Sequence, residues 1–567
     1  MTDLLGRVPT PLPELTGPTP SRARRRRAAG SGRPAWSLLV VVLGALVCCP
    51  VVAVTVWALT LGDDLALPGG VGAMVLTTVA LLVGVGVGCA VLGTGLAWLV
   101  TAYDFPGRRV LEVLLVLPLA MPGYVLGFVF LSTFDYPGPV QTGLRGLLGD
   151  DLPALPVRSL AGAVVVLVLT LYPYVYLVVR AAFLELAPAA WDAARTLGAS
   201  RRRAFRSVLL PLARPSLVGG LALVMMETLT DFATVQYFNV RTVSVGVYLT
   251  WKGSFDVASA VSVAVLVLLL AVAVLGLERT LRGRARFAQR GGAGRGLERR
   301  RLTGRRAAAA TLVAGAVVTA GFGLPVLRLL TWAVDAARTP GTLTDDRFSE
   351  HLANSATLAA LVAAVCVLVA LVMSHARRLG GGRVVGTAAQ LTMVGYAVPG
   401  AVIGIGVLAS FDAVDRLLVA LGVDGGTGLL VTGSVLGVVV AYVVRFTGPA
   451  YQAVDASFTR VPTSVTASAQ VLGAGPGRLL GRVHLPLVRS GAAVAATLVL
   501  VDAVKELPLV LLLRPFGFTT LSVWVFELAS ENYWERAALP ALLIVLLSVV
   551  PVALLLRHGR APGREVR

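Results

Sequence analysis

The sequence predicts an all-α membrane protein of about twelve transmembrane helices, arranged as two parallel halves of six. Three observations lead to this fold class: a shortage of charged residues, a series of long apolar runs, and an internal repeat. Of the 567 residues, 56% are hydrophobic and only 14% are charged, and the mean hydropathy is +0.81. Soluble proteins carry about 25% charged residues, so this composition excludes an ordinary soluble enzyme as well as a disordered chain.

The apolar runs are long enough to be candidate membrane spans. They begin near Ser37, Gly72, Val110, Leu160, Pro215, Val257, Ala307, Ser355, Val384, Leu429, Ser490 and Ala537. A run such as Ala161–Leu171 does not alternate between polar and apolar residues, as the strands of a membrane barrel do. Helices are therefore expected, because a helix pairs its own backbone polar groups within lipid.

Positively charged residues indicate how the helices are oriented. The chain has 50 Lys and Arg against 30 Asp and Glu, and its only lysines are Lys252 and Lys505. With a cytoplasmic N-terminus and alternating spans, the arginine runs all fall inside: Arg22–Arg33, Arg108 and Arg109, Arg180–Arg214, Arg279–Arg306, Arg377–Arg383, Arg445–Arg489 and Arg557–Arg567. The outer loops are instead acidic, for example at Asp345, Asp346 and Glu350. This positive-inside pattern predicts that both termini are cytoplasmic.

The second half of the chain repeats the first, without a gap around one loop and with a slightly shifted offset upstream of it. Leu197-Gly198 matches Leu472-Gly473, and Leu210-Pro211-Leu212 matches Leu485-Pro486-Leu487, in both cases 275 residues apart. Upstream, MPGYVLGF at 121–128 resembles VPGAVIGI at 398–405. Because each half begins and ends inside, the two halves have the same orientation, and substrate paths commonly lie between such repeats.

The repeat divides the chain into four regions. Residues 1–34, rich in Pro and Arg, are predicted to be a disordered, basic cytoplasmic tail. The first half covers 35–280, with a core at about 72–280 and a cytoplasmic loop at 185–214. An Arg-rich cytoplasmic linker follows at 281–306. The second half covers 307–567, with a core at about 354–557 and the matching loop at 455–489.

The duplicated loop is built like a docking element. Pro188 suits the first turn of a helix through Thr196, and Gly198 offers a left-handed stop. A basic stretch, Arg201–Arg206, follows before Leu210-Pro211 turns the chain back into the membrane. The alternative is a loop that only sets topology, but such a loop does not require the same Leu-Gly at the same distance from the same Leu-Pro-Leu.

This pattern resembles the signature loop of the type I ABC importer permeases. In that family a Glu-Ala-Ala motif, a Gly about four residues later and a Leu-Pro form the coupling helix, which contacts the ATPase subunit. The corresponding residues here are Asp192, Ala193, Ala194, Gly198 and Pro211 in the first loop, and Ala467, Ser468, Ala469, Gly473 and Pro486 in the second. The first loop has Asp in place of Glu, and the second lacks the acid.

Two further segments resemble the fused two-domain permeases of ferric-iron importers. These are Glu-Thr-Leu-Thr-Asp-Phe at 227–232 and Lys-Glu-Leu-Pro at 505–508. The resemblance implies a multi-pass subunit of a bacterial cell membrane that works with two copies of a P-loop ATPase and an extracytoplasmic binding protein. It implies ferric iron as cargo and no cofactor on this chain, since ATP is used by the partner. Thiamine, phosphonate or sulfate as cargo, and an ion-driven secondary transporter, are the alternatives.

Acidic residues recur near the end of one apolar run in each half. Glu227 and Asp231 are four residues apart, as are Asp502 and Glu506, so each pair shares a helix face, and Lys505 adjoins the second pair. Acids in a span commonly line a pathway, which predicts a polar path between the halves. The alternative is that the helices end there and leave the acids at the surface or in structural ion pairs.

The motifs of several other functions are absent from the sequence. Neither lysine follows a glycine, so there is no Gly-Lys-Ser/Thr of a P-loop and the chain is not expected to be an enzyme. The four histidines, His351, His375, His484 and His558, are dispersed, and His484 is expected at the cytoplasmic surface. The cysteines lie in apolar runs, which predicts neither a metal site nor disulfides. The basic runs lack the interleaved aromatic residues of single-stranded nucleic-acid binding.

Overall fold

The computed structural model describes residues 34–61, 67–151, 153–186, 188–254, 257–282, 299–338, 346–379, 382–423, 425, 427 and 433–558. The predicted tail, apart from Pro34, and linker residues 283–298 therefore lie outside the described residues. Within this part the chain is almost entirely helical, and the two strands have two residues each. The all-α prediction is confirmed.

The first half is described first. Its elements are α1 (Pro34–Leu61), α2 (Val71–Ala102), strand β1 (Tyr103–Asp104), α3 (Arg108–Leu114), a 3-10 turn (Leu117–Ala120), α4 (Gly123–Phe134), α5 (Pro139–Leu148), α6 (Leu160–Leu186), α7 (Pro188–Thr196), α8 (Arg201–Ala204), a π-helical turn (Phe205–Leu209), α9 (Leu210–Thr230), α10 (Ala233–Tyr237), α11 (Val243–Leu249), a second π-helical turn (Thr250–Ser254) and α12 (Val257–Arg282).

The second half follows the same plan. Its elements are β2 (Arg300–Arg301), α13 (Gly304–Val318), a π-helical turn (Thr319–Gly323), α14 (Leu324–Arg338), α15 (Asp346–Arg378), α16 (Gly382–Leu391), α17 (Val394–Ala397), α18 (Gly400–Ala420), α19 (Val435–Arg460), α20 (Thr463–Val471), α21 (Pro476–Leu479), a π-helical turn (Leu480–His484), α22 (Leu485–Lys505), α23 (Pro508–Leu513), α24 (Leu521–Ser530) and α25 (Trp534–His558).

The number of spans differs from the prediction of twelve. Nine helices of the described chain are long and apolar enough to cross a membrane, or eleven if two bent helix pairs each count as one span. Helix α25 lies where the twelfth span is predicted but is not among these eleven, so the number twelve is not confirmed. Exposed apolar residues such as Leu76, Val83 and Val91 on α2 give these helices a surface suited to lipid.

Both bent pairs break at the repeated Pro-Gly motif. The chain turns by 96° between Arg108–Ala120 and Gly123–Leu148, and by 116° between Gly382–Ala397 and Gly400–Ala420. Pro122 and Pro399 occupy these breaks with extended ψ angles of 141° and 140°. A proline lacks the amide hydrogen that a continuing helix needs and disfavours helical geometry in the residue before it. The helix therefore ends and restarts at the following glycine.

The first helix of each half reaches the other half. Helix α1 packs mainly against α16 and α18, and the Cys48 thiol lies 3.8 Å from the Leu391 carbonyl. The contact with α18 is so close that a Cβ on Gly406 would lie 2.2 Å from the Pro50 carbonyl oxygen. In the second half, the π-helical turn before α14 packs on the first half, where a Cβ on Gly321 would lie 3.1 Å from Pro118 Cγ. The two halves are thus interlocked.

Candidate functional site

The two duplicated loops end their first helix with the same backbone geometry. Gly198 and Gly473 have positive φ angles of 84° and 80°. The next residue then bonds back to the helix, Ala199 N to Ala194 O and Ala474 N to Ala469 O, both at 3.0 Å. This is a Schellman closure, in which a left-handed residue after the helix satisfies the last carbonyls. The left-handed stop predicted at Gly198 is present in both loops.

The structure differs from the prediction at the Leu-Pro pair. The chain does not turn at Leu210-Pro211, because one helix of 30 residues runs from Arg201 to Thr230, and another runs from Pro476 to Lys505. Each contains a π-helical turn immediately before its Leu-Pro. A proline cannot donate to the carbonyl four residues earlier, and a π-turn changes the bonding pattern at that point without ending the helix.

The loop surfaces expose apolar tips. Asp192, Ala193, Ala467 and Ser468 are exposed, while Ala194 and Ala469 are half-buried. Next to the left-handed glycines, Leu197 is 88% exposed and Leu472 is 86% exposed. Pro211 and Pro486 are also exposed, at the start of α9 and α22. A large apolar side chain held at the tip of each loop is suited to a groove on another protein.

The two loops are attached to the helices by different contacts. In the first, buried Trp191 packs on Trp98 with ring centroids 5.3 Å apart. In the second, the Thr466 hydroxyl lies 3.1 Å from His484 Nε2, and His484 Nδ1 lies 2.8 Å from His375 Nδ1. Both histidines are fully buried, so the expectation that His484 is a surface residue is wrong. The shape of the loop is repeated, but the contacts below it are not.

The five predicted pathway residues all line one cavity of about 140 Å³ between the halves. The first half contributes Leu119, Met121–Tyr124, Leu167, Thr170, Leu171, Tyr174, Glu227 and Thr230–Ala233, and the second half contributes Tyr396, Arg445, Phe446, Asp502, Lys505, Glu506, Leu507 and Pro508. Helices α9 and α22 do end beside the acids, as the alternative reading predicts. These ends face the cavity, however, and not the surface of the protein.

Asp231 and Glu506 hold the chain where it restarts as a short helix. The Asp231 carboxylate accepts from the Thr234 amide at 2.8 Å and from the Thr234 hydroxyl at 2.6 Å. Glu506 accepts from the Leu509 amide at 3.4 Å. Both carboxylates also lie beside the glycine at which a helix restarts after a Pro-Gly break. For example, a Cβ on Gly123 would be 2.7 Å from Asp231 Oδ2. A negative charge is favourable at a helix N-terminus, so these two acids have a structural role.

Arg445 lines the cavity, although the arginine pattern of the sequence predicts that it is cytoplasmic. It is 4% exposed, its Nε lies 3.2 Å from Glu506 Oε2, and its Nη1 donates to the Val398 carbonyl at 3.4 Å. The Nε–Glu506 contact is an ion pair without hydrogen-bond alignment. The prediction is wrong because a single arginine within an apolar run is stable when it is paired inside the protein. The sequence feature that indicates this burial is that Arg445 stands alone within an apolar run.

Glu227 and Asp502 present their carboxylates to the cavity with fewer partners. The Tyr396 hydroxyl of the second half donates to Glu227 at 3.4 Å, and Asp502 forms a half-exposed ion pair with Lys505 at 3.1 Å. The two basic residues have no basic counterpart in the first half, because the positions 275 residues before Arg445 and Lys505 are Thr170 and Thr230. The lining therefore holds four carboxylates and two basic groups. In the described part of the chain, no three His, Cys, Asp or Glu residues could together hold a metal ion.

Comparison with known proteins identifies the family to which this architecture belongs. The family described as "Binding-protein-dependent transport system inner membrane component" matches residues 89–286, which include the first loop and the first pair of acids. The sulfate transport system permease protein CysT of Salmonella typhimurium is 30% identical over 203 residues, 34% of this chain and 70% of that protein. The chain belongs to this family.

One relative extends the similarity of this permease to most of its length, and another matches a part of it. The Fe(3+)-transport system permease protein FbpB 2 of Haemophilus influenzae is 26% identical over 542 residues, 93% of this chain and 99% of that protein. The molybdenum transport system permease protein ModB of Escherichia coli is 33% identical over 150 residues, 26% of this chain and 62% of that protein. The predicted resemblance to the fused two-domain permeases is confirmed by the full-length match.

Proposed function

We propose that this permease moves ferric iron from an extracytoplasmic binding protein into the cytoplasm, driven by a separate ATPase. The observation that carries the choice of cargo is the cavity lining, with four carboxylates and only two bases. A path for an anion such as sulfate or molybdate is expected to present an excess of positive groups. The full-length match to an Fe(3+)-system permease supports the same choice, whereas the sulfate and molybdenum relatives match one part of the chain.

The two long helices give a direct route from the loops to the cavity. One helix runs from Arg201, just after the first loop's left-handed glycine, to Thr230 beside Glu227, and its counterpart ends beside Asp502. A helix of 30 residues spans about 45 Å. A displacement of either loop therefore moves one wall of the cavity, which is the coupling that alternating access requires.

Each loop is the docking site for one ATPase subunit, so that two copies bind per chain. Leu197 and Leu472 supply the apolar contact, and Asp192 adds a charged contact on the first loop only. ATP is used by these partners, and this chain supplies no ATPase site and binds no cofactor. The arginine runs and both termini lie in the cytoplasm of a bacterial cell, which places the loops on the side where ATP is available.

A pull-down from native membranes tests the proposal. The tagged chain is extracted in mild detergent, and co-purifying proteins are identified and quantified by mass spectrometry. We expect a P-loop ATPase at about two copies per chain, lost in a Gly198→Val/Gly473→Val double variant that still reaches the membrane. Absence of any ATPase, under conditions that keep a known importer together, would favour the ion-driven carrier.

The cargo is tested separately with the companion binding protein. We expect it to bind Fe(III), and uptake of iron into vesicles to require ATP and to persist in the presence of an ionophore. Tight binding of sulfate, thiamine or a phosphonate by that protein would be consistent with an ATP-driven importer but would contradict ferric iron as its cargo. Loss of uptake with the ionophore alone would contradict the ATP-driven mechanism.

A further inference from the structure

A pair of two-residue strands fastens the end of the linker to the first half. Strands β1 and β2 pair in parallel, and the Leu302 amide donates to the Asp104 carbonyl at 2.8 Å. The Thr311 hydroxyl of α13 donates to the Pro106 carbonyl at 2.9 Å. The start of α13 is therefore held against the turn that follows α2, and the surface formed here is built from fixed elements.

The strand pair distributes its arginines over two clefts. Successive side chains of a strand point to opposite faces, so Arg299 and Arg301 line one cleft and Arg300 lines the other. The first cleft, of about 550 Å³, also contains Arg108 and Arg109, and Asp104 is the acid that lines it. Burial and the neighbouring Arg108 lower the pKa of the Arg299 guanidinium. This end of the molecule thus carries a concentrated positive charge.

The second cleft, of about 400 Å³, combines two arginines with an apolar wall. Its lining is Leu99, Tyr103, Arg300, Leu302, Arg306, Ala309, Ala310 and Val313, and none of these described residues is acidic. Along α13, Leu312 and Val313 are 70% and 54% exposed. Because α13 begins a segment that is long and apolar enough to cross a membrane, the cleft continues from a basic edge onto a surface suited to acyl chains.

We propose that this second cleft binds one anionic phospholipid. The phosphate lies between Arg300 and Arg306, and an acyl chain follows Leu99, Ala310 and Val313. A guanidinium matches a phosphate through paired hydrogen bonds, and basic pockets at the edge of membrane helices attract anionic headgroups. A soluble anion would leave the apolar wall uncovered. A zwitterionic lipid does not supply the net negative charge that the two arginines favour, since no acid of the described residues lines the cleft.

The bound lipid connects parts of the chain that are distant in sequence. Its contacts join α2 of the first half to β2 at the end of the linker and to α13 of the second half. The lipid therefore stabilises the junction of the halves as well as occupying a surface cleft. This inference does not rest on the cargo or on ATPase docking, so it can fail while the proposed transport function holds.

Lipid retention by the purified full-length chain tests the proposal. The protein is exchanged into detergent containing equal phosphatidylglycerol and phosphatidylcholine, and bound lipid is counted by native mass spectrometry. We expect about one phosphatidylglycerol per chain and a rise in melting temperature with added phosphatidylglycerol. The Arg300→Gln/Arg306→Gln variant loses roughly thirtyfold in this preference, because each surface arginine contributes about fivefold to the attraction of anionic lipid.

The matched control removes the same charge elsewhere. Arg305 and Arg383 are exposed and line neither cleft, so Arg305→Gln/Arg383→Gln is expected to retain the lipid. Arg306→Gln alone leaves both strands intact and loses about fivefold, which keeps the test valid if the double variant does not fold. Equal retention of the two lipids, equal retention by the arginine and control variants, or equal stabilisation by inorganic phosphate alone would overturn the proposal.

Discussion

Single residues at the cavity show how a repeated position takes a different role when its neighbours change. Asp231 and Glu506 are equivalent in the repeat, and each accepts from an amide three residues later. Only Glu506 faces an arginine, because Arg445 has Thr170 as its first-half counterpart. The backbone geometry is thus shared by the halves, while both basic groups of the cavity come from the second half.

Removing Arg445 is expected to destabilise the protein. Arg445→Met leaves Glu506, 7% exposed, without its partner, and breaking a buried pair costs about 3–5 kcal/mol in the free energy of unfolding. A lower melting temperature in detergent is the expected result. Lys505→Met serves as control, because the half-exposed pair with Asp502 contributes about 0–1 kcal/mol. Equal melting of both variants and the wild type would show that the Arg445 pair is not stabilising.

Glu227 is expected to affect transport more than stability. Among the described residues its carboxylate accepts one hydrogen bond, from Tyr396 at 3.4 Å, so Glu227→Gln removes charge from the cavity but little structure. We expect iron uptake to fall by about tenfold, equivalent to about 1.4 kcal/mol, with an unchanged melting temperature. Asp231→Asn is the contrasting variant, because it weakens the cap of α10 and lowers stability by about 1 kcal/mol. Full uptake by Glu227→Gln would remove this residue from the pathway.

At the scale of elements, the effect of backbone strain at a loop glycine can be separated from the effect of a bulkier side chain. Gly473 has a positive φ and Gly477 does not, and an added Cβ at either meets nothing within 4 Å. Gly473→Val therefore strains the backbone by about 1–2 kcal/mol without a clash, while Gly477→Val adds the same bulk without that strain. We expect Gly473→Val to lose co-purifying ATPase at normal membrane levels. A similar loss with Gly477→Val would indicate a steric effect instead.

Features that depend on local backbone chemistry are predictable from the sequence. The left-handed glycines, the repeat and the acids near the helix ends all follow from short motifs. The π-turns before Leu210-Pro211 and Leu485-Pro486 do not, because a proline inside a helix can be accommodated in several ways. The burial of Arg445 and His484 is not predictable for a different reason. Their burial depends on partners 61 and 109 residues away, Glu506 and His375, which composition and spacing do not reveal.

At the scale of the whole molecule, the halves hold each other without the linker. Helix α1 contacts α16 and α18, and the turn before α14 contacts the first half. A protease site placed within residues 283–298 is therefore expected to yield two fragments that co-purify in mild detergent through a tag on the first. Gly406→Leu should weaken that association, because its side chain would meet the Pro50 carbonyl. Separation of the fragments after cleavage of the unsubstituted chain would contradict the interlock.

The contacts between the halves also imply a delay during synthesis between the making of α1 and the making of its partners. Helix α1 leaves the ribosome well before its partners, because Leu391, which contacts Cys48, is 343 residues further along the chain. At 5–20 residues per second, that interval lasts roughly 20–70 s. During this time Gly44 and Cys48 face lipid or the insertion machinery instead of their final neighbours. Helix α1 thus reaches its final contacts only after α16 and α18 are made, and until then it must remain in the bilayer with that surface uncovered.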